Sequence, residues 1–297
     1  MNNHRVLILG ASGMLGHTLF IRFSSIPNFE VHATVRKNDD LSSLISDQLL
    51  SRVHSAVDAN EFNSVRRVLS DVRPSIVINC IGVIKQSPTA SDPIVAISMN
   101  SLFPHQLALA CASVGARLIH ISTDCIFSGK RGGYTEQDPS DADDLYGRTK
   151  FLGEVIYPHC ITLRTSIIGH ELKGHRGLID WFVSQQGTVR GFTNAIYTGF
   201  PTVEMARIIS DHVIPIPGLS GLYHVSSEPI SKHDLLTLTA RIYGKEISIV
   251  PYGDFHCNRS LDSIRFRQAT GYRPPSWPEM ITAMQKDYES KPYYIQF

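Results

Sequence analysis

Arg5-Val6-Leu7-Ile8-Leu9-Gly10-Ala11-Ser12-Gly13-Met14-Leu15-Gly16 is the stretch that decides the fold of this 297-residue chain. Residues 5–9 are an apolar run without alternation, the pattern of a parallel strand covered on both faces. His17-Thr18-Leu19-Phe20-Ile21-Arg22-Phe23 then reads as a helix. Between them, Gly10, Gly13 and Gly16 allow a tight turn and let the backbone approach a pyrophosphate, which rests on the positive end of the following helix. The spacing is G-x-x-G-x-x-G rather than G-x-G-x-x-G. Strand, glycines and helix together predict a bound dinucleotide, with Ser12, Met14 and Leu15 in the same turn.

The second strand indicates which dinucleotide. A carboxylate for the adenosine ribose is expected about 20 residues further on. Val31-His32-Ala33-Thr34-Val35 arrives instead at Arg36-Lys37. An arginine can hold a 2′-phosphate through paired, charge-assisted hydrogen bonds, whereas a carboxylate would repel it. NADPH is therefore expected, with NADH as the alternative, since Asp39 and Asp40 follow closely and could serve a ribose hydroxyl.

Strands and helices alternate from there. A helix is predicted around 64–70, a strand at Ile76-Val77-Ile78-Asn79-Cys80 ending at Ile81-Gly82, and a helix over 94–114. Another strand runs over 118–121, a helix over 145–157 and a strand over 161–164. This alternation predicts an α/β fold, a doubly wound parallel sheet of Rossmann-like type. The C-terminal part is predicted to be a smaller, interleaved α/β domain. The expected division is a dinucleotide domain over 1–168, joined by 196–226, and a substrate domain over 169–195 and 227–297. Ligands of such sheets bind beyond the carboxyl ends of the strands. Gly10, Gly82, Thr123 and Ser166 all fall there.

Two further stretches carry chemistry: Ile121-Ser122-Thr123-Asp124-Cys125-Ile126-Phe127 and Leu145-Tyr146-Gly147-Arg148-Thr149-Lys150. Residues four apart share a helix face, so Lys150 can sit beside the phenol of Tyr146. A tyrosine with a pKa of about 10 is a poor acid at neutral pH, and a neighbouring cation brings it toward working range. A hydroxyl from Ser122 or Thr123 could complete a site for a substrate oxygen.

Composition excludes several other classes. Lys and Arg number 28 against 27 Asp and Glu, so no basic field favours nucleic acid. No apolar run approaches the roughly 20 residues of a membrane span, and the chain enters a strand almost at once, without a signal peptide. A cytoplasmic location is expected. Five scattered cysteines without a C-x-x-C read as reduced, mainly buried thiols. No metal site is expected: His170 and His175 find no third ligand in the sequence.

The glycine turn, the Ser-Thr-Asp strand end and Tyr146-x-x-x-Lys150 resemble an extended short-chain dehydrogenase/reductase, and within that group the dTDP-4-dehydrorhamnose reductase family. Matches extend along the chain: Asn79, Asn100, Leu163-Arg164-Thr165-Ser166, Gly199-x-Pro201-Thr202, Gly221-Leu222-Tyr223-His224, Arg259-Ser260-Leu261 and Trp277. The resemblance implies NADPH-dependent reduction of the 4-keto group of a nucleotide-linked 4-keto-6-deoxyhexose, in surface-polysaccharide or O-antigen sugar synthesis. It implies that Tyr146 donates the proton, that Lys150 lowers the Tyr146 pKa and holds the nicotinamide ribose, and that Thr123, rather than Ser122, binds the carbonyl oxygen. Cys80, Ile81 and Gly82 would line the cofactor, Asp58 the adenine, and Asp124 the substrate.

Cys125 stands where related dehydratases carry a glutamate, which turns the expected chemistry from dehydration to reduction. Epimerisation, or a regulatory protein that binds NADP without turnover, remain the alternatives. Lys173, His175, Arg176, Arg190 and Arg259 are candidates for the nucleotide diphosphate; Arg259 is the best of them, and the others, Arg176 included, read more readily as solvated surface charges. The Arg259 motif is shortened to Arg-Ser-Leu, and the acidic stretch Asp138–Asp144 departs from the family pattern, so a neighbouring 6-deoxy sugar is a contender. Trp181 and Phe182 read as core. The tail Pro292–Phe297 is apolar, and a homodimer is left open.

Overall fold

The computed structural model describes residues 4–37, 41, 45–87, 89–174 and 176–291. Asp39, Asp40, His175 and the tail 292–297 lie outside the described residues. The chain forms two compact units. Unit 1 comprises Met1–Ser122, Asp143–Leu163 and Ile216–Leu222; unit 2 comprises Thr123–Ala142, Arg164–Pro215 and Tyr223–Phe297.

Unit 1 is built on a seven-stranded sheet. Six strands come in chain order: β1 (His4–Leu9), β2 (Phe29–Thr34), β3 (Val53–His54), β4 (Ile76–Asn79), β5 (Arg117–Thr123) and β6 (Cys160–Thr165). The seventh, Gly221–His224, occupies the edge beside β6, and the order across the sheet ends β6-β5-β4-β1-β2-β3. β1 pairs in parallel with both β2 and β4, and the pairs β2–β3 and β4–β5 are parallel as well. The order reverses between β1 and β4, the switch point of a doubly wound sheet. Val6 to Leu9 are fully buried, as the unalternating apolar run requires.

The turn after β1 closes for a steric reason. Gly10 has φ +81°, and a Cβ on Gly16 would lie 2.2 Å from the Gly10 carbonyl oxygen. Any side chain at position 16 would push the helix Met14–Ser24 off the strand. The Ala11 N–H donates to the Thr34 carbonyl at 3.0 Å, tying the turn to the end of β2.

Behind β4 lies one continuous helix over Pro93–Ser113, whose middle segment, Ile97–Leu102, is π-helical. Pro104 has no N–H to return to the Asn100 carbonyl, and the Phe103 N–H reaches back to Ser98 instead. The wider turn is the response to that missing donor. This helix has 21 residues and an 18-residue stretch of mean hydropathy 1.3, enough by length and composition for a span, yet 56% of that stretch is buried inside the protein. Asn100, Ser101, His105 and Gln106 break the apolar run, which is why the sequence does not read as a span.

Unit 2 holds short strands and helices. Thr188–Phe192 runs parallel to Ser248–Tyr252, a pairing with no signature in the sequence. Ala195–Tyr197 is the middle strand between Ile230–Ser231 and Cys257–Asn258. Ser231 caps the helix Lys232–Tyr243 as expected, accepting from the Asp234 N–H at 3.0 Å. In the helix Leu178–Ser184, Phe182 is core but Trp181 is 37% exposed, because consecutive residues point about 100° apart. All five cysteines are free thiols; Cys111 and Cys160 are buried, and Cys80, Cys125 and Cys257 are half-buried.

Inside unit 2, Phe127 stacks on Tyr134 at 4.1 Å, with the buried His224 against the Phe127 ring. His224 Nδ1 bonds the Tyr134 carbonyl at 3.0 Å, and Nε2 accepts from Arg164 at 3.1 Å. Burial, and then the Arg164 cation, push its pKa down to about 3. The unfolded chain takes up this proton below about pH 6.5 and the folded chain does not, so stability falls as pH drops from 6.5 toward 3. Between pH 6.5 and pH 5 this one group removes roughly 2 kcal/mol. Urea unfolding at the two pH values measures it, and His224→Gln shows a shallower slope.

Candidate active site

Each candidate residue is placed here within its own unit. In unit 1, the ends of β1 and β4 lie together: a Cβ on Gly10 would meet Ile81 Cγ1 at 2.9 Å and the Ile81 nitrogen at 3.3 Å. The glycine turn and the Cys80-Ile81-Gly82 segment are therefore brought to one place. Gly13 is the exposed N-cap of the helix Met14–Ser24, with no side-chain cap, and a Cβ there would touch only the Gly10 oxygen at 3.4 Å. A bare helix N-terminus behind a side-chain-free turn fits the pyrophosphate of a dinucleotide. Ser12 and Met14 are half-buried and Leu15 is buried in this turn.

Arg36 and Lys37 are exposed just past β2. Asp58 is half-buried, and its carboxylate accepts from both the backbone and the side-chain amide of Asn60, at 2.9 and 3.0 Å. It closes an Asx turn.

Lys150 lies in the helix Leu145–Leu152, whose N-cap Asp144 accepts from the Gly147 N–H at 2.7 Å. The Lys150 ammonium is buried and donates to the Ile121 carbonyl of β5 at 2.8 Å. Gly82 stands on its other side, where a Cβ would lie 3.9 Å from Nζ. Burial pushes the Lys150 pKa down to about 8, while Glu154 and Cys80 act to raise it. His120 is buried close by. It accepts from the Asn79 amide at 3.1 Å, and burial together with the Lys150 charge drives it well below the usual imidazole range. One cation is buried here, and the imidazole beside it is neutral.

Tyr146, one turn before Lys150, is half-buried, with the Lys85 ammonium 5.6 Å from its ring centre. The helix is set against the π-helical segment. Asn100 donates to Thr149 Oγ1 at 3.3 Å and Ser101 donates to the Thr149 carbonyl at 2.8 Å. A Cβ on Gly153 would come within 1.8 Å of the Asn100 oxygen. The Tyr-Lys helix ends there, at Leu152, short of the predicted 157.

The two neighbouring hydroxyls have different tasks. Ser122 donates to Glu154 at 2.7 Å, a structural tie inside unit 1. Glu154 was missed in the sequence, although Tyr146, Lys150 and Glu154 recur at intervals of four. In unit 2, Thr123 caps the short turn Asp124–Ile126, accepting from the Cys125 N–H at 3.1 Å and donating to Asp124 at 3.3 Å. The cap fixes the Thr123 oxygen, and its one proton is directed at Asp124.

Asp124 is buried in unit 2; burial raises its pKa against the opposing pull of Arg259 and Lys232. Arg259 Nε donates to the Phe127 carbonyl at 2.7 Å. Asp124 and Arg259 are thus brought together, whereas Arg176 is exposed in a loop, its N–H bound to Glu171 at 2.7 Å. Lys173 is likewise exposed, and Arg190 covers the Tyr252 ring at 4.8 Å. His170 bonds Asp180 on one side and Tyr243, at 2.9 Å, on the other. Among the described residues no group of three or more His, Cys, Asp or Glu could hold a metal.

The strand order and the glycine turn define a Rossmann-like α/β protein with a Tyr-x-x-x-Lys helix. The family model described as RmlD substrate binding domain matches residues 4–289, and the chain belongs to that family. It is 34% identical over 151 residues to a dTDP-4-dehydrorhamnose reductase of Streptomyces griseus, an alignment covering 50% of this chain and 43% of that protein. It is 26% identical over 291 residues to the spore coat polysaccharide biosynthesis protein SpsK of Bacillus subtilis, covering 93% and 95%. The chain spans about half the length of the curated reductases it matches. A crystal structure of dTDP-4-dehydrorhamnose reductase from Bacillus anthracis in complex with NADP superposes with a TM-score of 0.77. It is 22% identical, over 96% of this chain and 99% of that one, which is a likeness of fold.

A buried ammonium held below its ordinary pKa is a burden on the folded state. At pH 7, Lys150→Met therefore stabilises the protein by roughly 1–3 kcal/mol, the burial penalty less one hydrogen bond. The sign in pH follows: the wild type gains stability from this group as pH rises from about 8 toward 10.5, and the variant does not. Urea denaturation at pH 7 and pH 9.5 decides it, and a destabilised Lys150→Met would show that the ammonium is held by net attraction.

Proposed function

We infer that this chain reduces the 4-keto group of a nucleotide-linked 4-keto-6-deoxyhexose with NADPH, in the synthesis of a surface-polysaccharide sugar. The observation that carries this reading is Lys150, buried between the Ile121 carbonyl and Gly82 one helical turn after Tyr146. Family membership supports it, as do a relative named as a dTDP-4-dehydrorhamnose reductase and another named for polysaccharide biosynthesis. The similar fold of a reductase described with NADP supports the cofactor.

NADPH, when bound, would supply the hydride for the carbonyl carbon. The protein supplies the rest. Tyr146 gives its phenolic proton to the alkoxide oxygen as the carbonyl bond opens. Lys150 holds positive charge beside that phenol and hydrogen-bonds the nicotinamide ribose. Thr123 turns its hydroxyl proton from Asp124 to the substrate oxygen, stabilising charge as it forms. Gly10, Ser12, Gly13, Met14, Leu15 and Gly16 would receive the pyrophosphate, Asp58 the adenine, and Cys80 to Gly82 would flank the cofactor. Arg36 and Lys37 take the 2′-phosphate. Asp124, Arg176 and Arg259 are assigned to the sugar nucleotide.

The dinucleotide domain is assigned to 1–168 with 196–226, and the substrate domain to 169–195 with 227–297. A cytoplasmic location and a nucleotide-sugar partner belong to the same reading. Retention of both Tyr146 and Lys150 favours turnover over a purely regulatory use of the dinucleotide.

NADPH oxidation against a panel of nucleotide 4-keto-6-deoxy sugars tests the activity. Turnover is expected with at least one of them, and Tyr146→Phe lowers kcat by about 10²–10⁴. NADPH binding without reduction of any keto sugar, with Tyr146→Phe inert, would sink the enzymatic reading.

The cofactor preference has a separate measurement. Arg36→Asp weakens NADPH by about tenfold or more and leaves NADH nearly unchanged, consistent with losing one charge-assisted contact. Equal losses for the two dinucleotides remove Arg36 from the 2′-phosphate site.

A further inference from the structure

Ala195–Tyr197, the middle strand of the small sheet in unit 2, ends on a residue that no sequence motif singled out. Tyr197 is 7% exposed, and its hydroxyl forms no hydrogen bond of good distance and angle; the Ser166 side chain is the hydrogen-bonding neighbour that acts on it. Gly199 makes the room: a Cβ there would come within 2.3 Å of the phenolic oxygen. The ring packs on Trp277, with centroids 5.9 Å apart. A phenol so placed is braced and buried while its hydrogen-bonding capacity is unmet, an exception that asks for a partner.

Its neighbourhood is polar. Burial and the charge of Asp124 both oppose ionisation of Tyr197, so the phenol keeps its proton as a donor. Asp124 feels Arg259 and Lys232. The strand register agrees with that grouping. Ile196 and Asn258 are the last pair of their parallel ladder, and Tyr197 and Arg259 are the residues that follow them in the chain. On the other side Tyr197 pairs with Ile230, two residues before Lys232. All of these residues belong to unit 2.

We propose that Tyr197 is a further substrate-binding residue, whose hydroxyl and the Asp124 carboxyl together hold one hydroxyl of the sugar ring. The proposal rests on the sugar-nucleotide reading given above and adds to it the residue that senses the sugar. A ring hydroxyl donates one proton and accepts another, which suits an acceptor carboxylate paired with a donor phenol. A phosphate carries no proton for the carboxylate at neutral pH, so Asp124 repels it and the pair discriminates sugar from diphosphate.

Titration calorimetry on the full chain tests this with UDP, dTDP and their L-rhamnose conjugates as probes. For whichever nucleotide binds, Tyr197→Phe weakens the conjugate about tenfold, the size of one neutral hydrogen bond, and leaves the bare diphosphate unchanged. Asp124→Asn gives a loss of the same kind, and the double variant loses less than the sum of the two. The thermal midpoint of Tyr197→Phe does not fall, because no hydrogen bond of good geometry is removed. Conjugate binding that is unchanged in Tyr197→Phe, or a lowered midpoint, overturns the proposal while leaving the reductase reading intact. A wild type that binds neither conjugate more tightly than its diphosphate overturns both.

Discussion

The close approach of Gly16 to the Gly10 carbonyl is the constraint on which unit 1 depends. With 2.2 Å available to a Cβ, only hydrogen fits, and that lets the first helix lie directly on the end of β1. The same closure leaves Gly13 at the helix N-terminus with no side chain in front of it. Because β1 is flanked by β2 and β4, this turn opens where the strand order reverses. The bare helix N-terminus follows from backbone geometry before any polar side chain is considered.

A second constraint places the Tyr-Lys helix. Pro104 removes the N–H that would close on the Asn100 carbonyl, the helix widens into a π turn, and Gly153 seats against that carbonyl. Asn100 and Ser101 then fasten Thr149. Lys150, the next residue, is carried to the Ile121 carbonyl. Its buried charge disfavours the folded state, and the surroundings answer by keeping His120 neutral and offering Glu154 as a distant countercharge. A group held at the expense of stability is what a functional site looks like in energetic terms.

Much of this was legible. The unalternating run at 5–9, the three glycines and the four-residue interval from Tyr146 to Lys150 are local patterns with local causes. Ser231 as a cap was legible for the same reason. Other features were not. Ser122 and Thr123 are equivalent in sequence, and only their partners, Glu154 for one and Asp124 with the Cys125 N–H for the other, separate them. Trp181 and Phe182 looked alike until the helix face was known.

The sequence by itself determined the strand-turn-helix order, the parallel alternation and the four-residue spacing of Tyr146 and Lys150, because these follow from spacing and steric rules along the chain. The tertiary structure alone decided which polar groups are buried without partners and which charges share a neighbourhood. Tyr197, Asp124 and Arg259 are far apart in sequence and reach one cluster through strand pairing. Arg176, equally cationic, stays exposed in its loop. Burial and pairing are properties of distant segments meeting, and spacing along the chain carries no record of them.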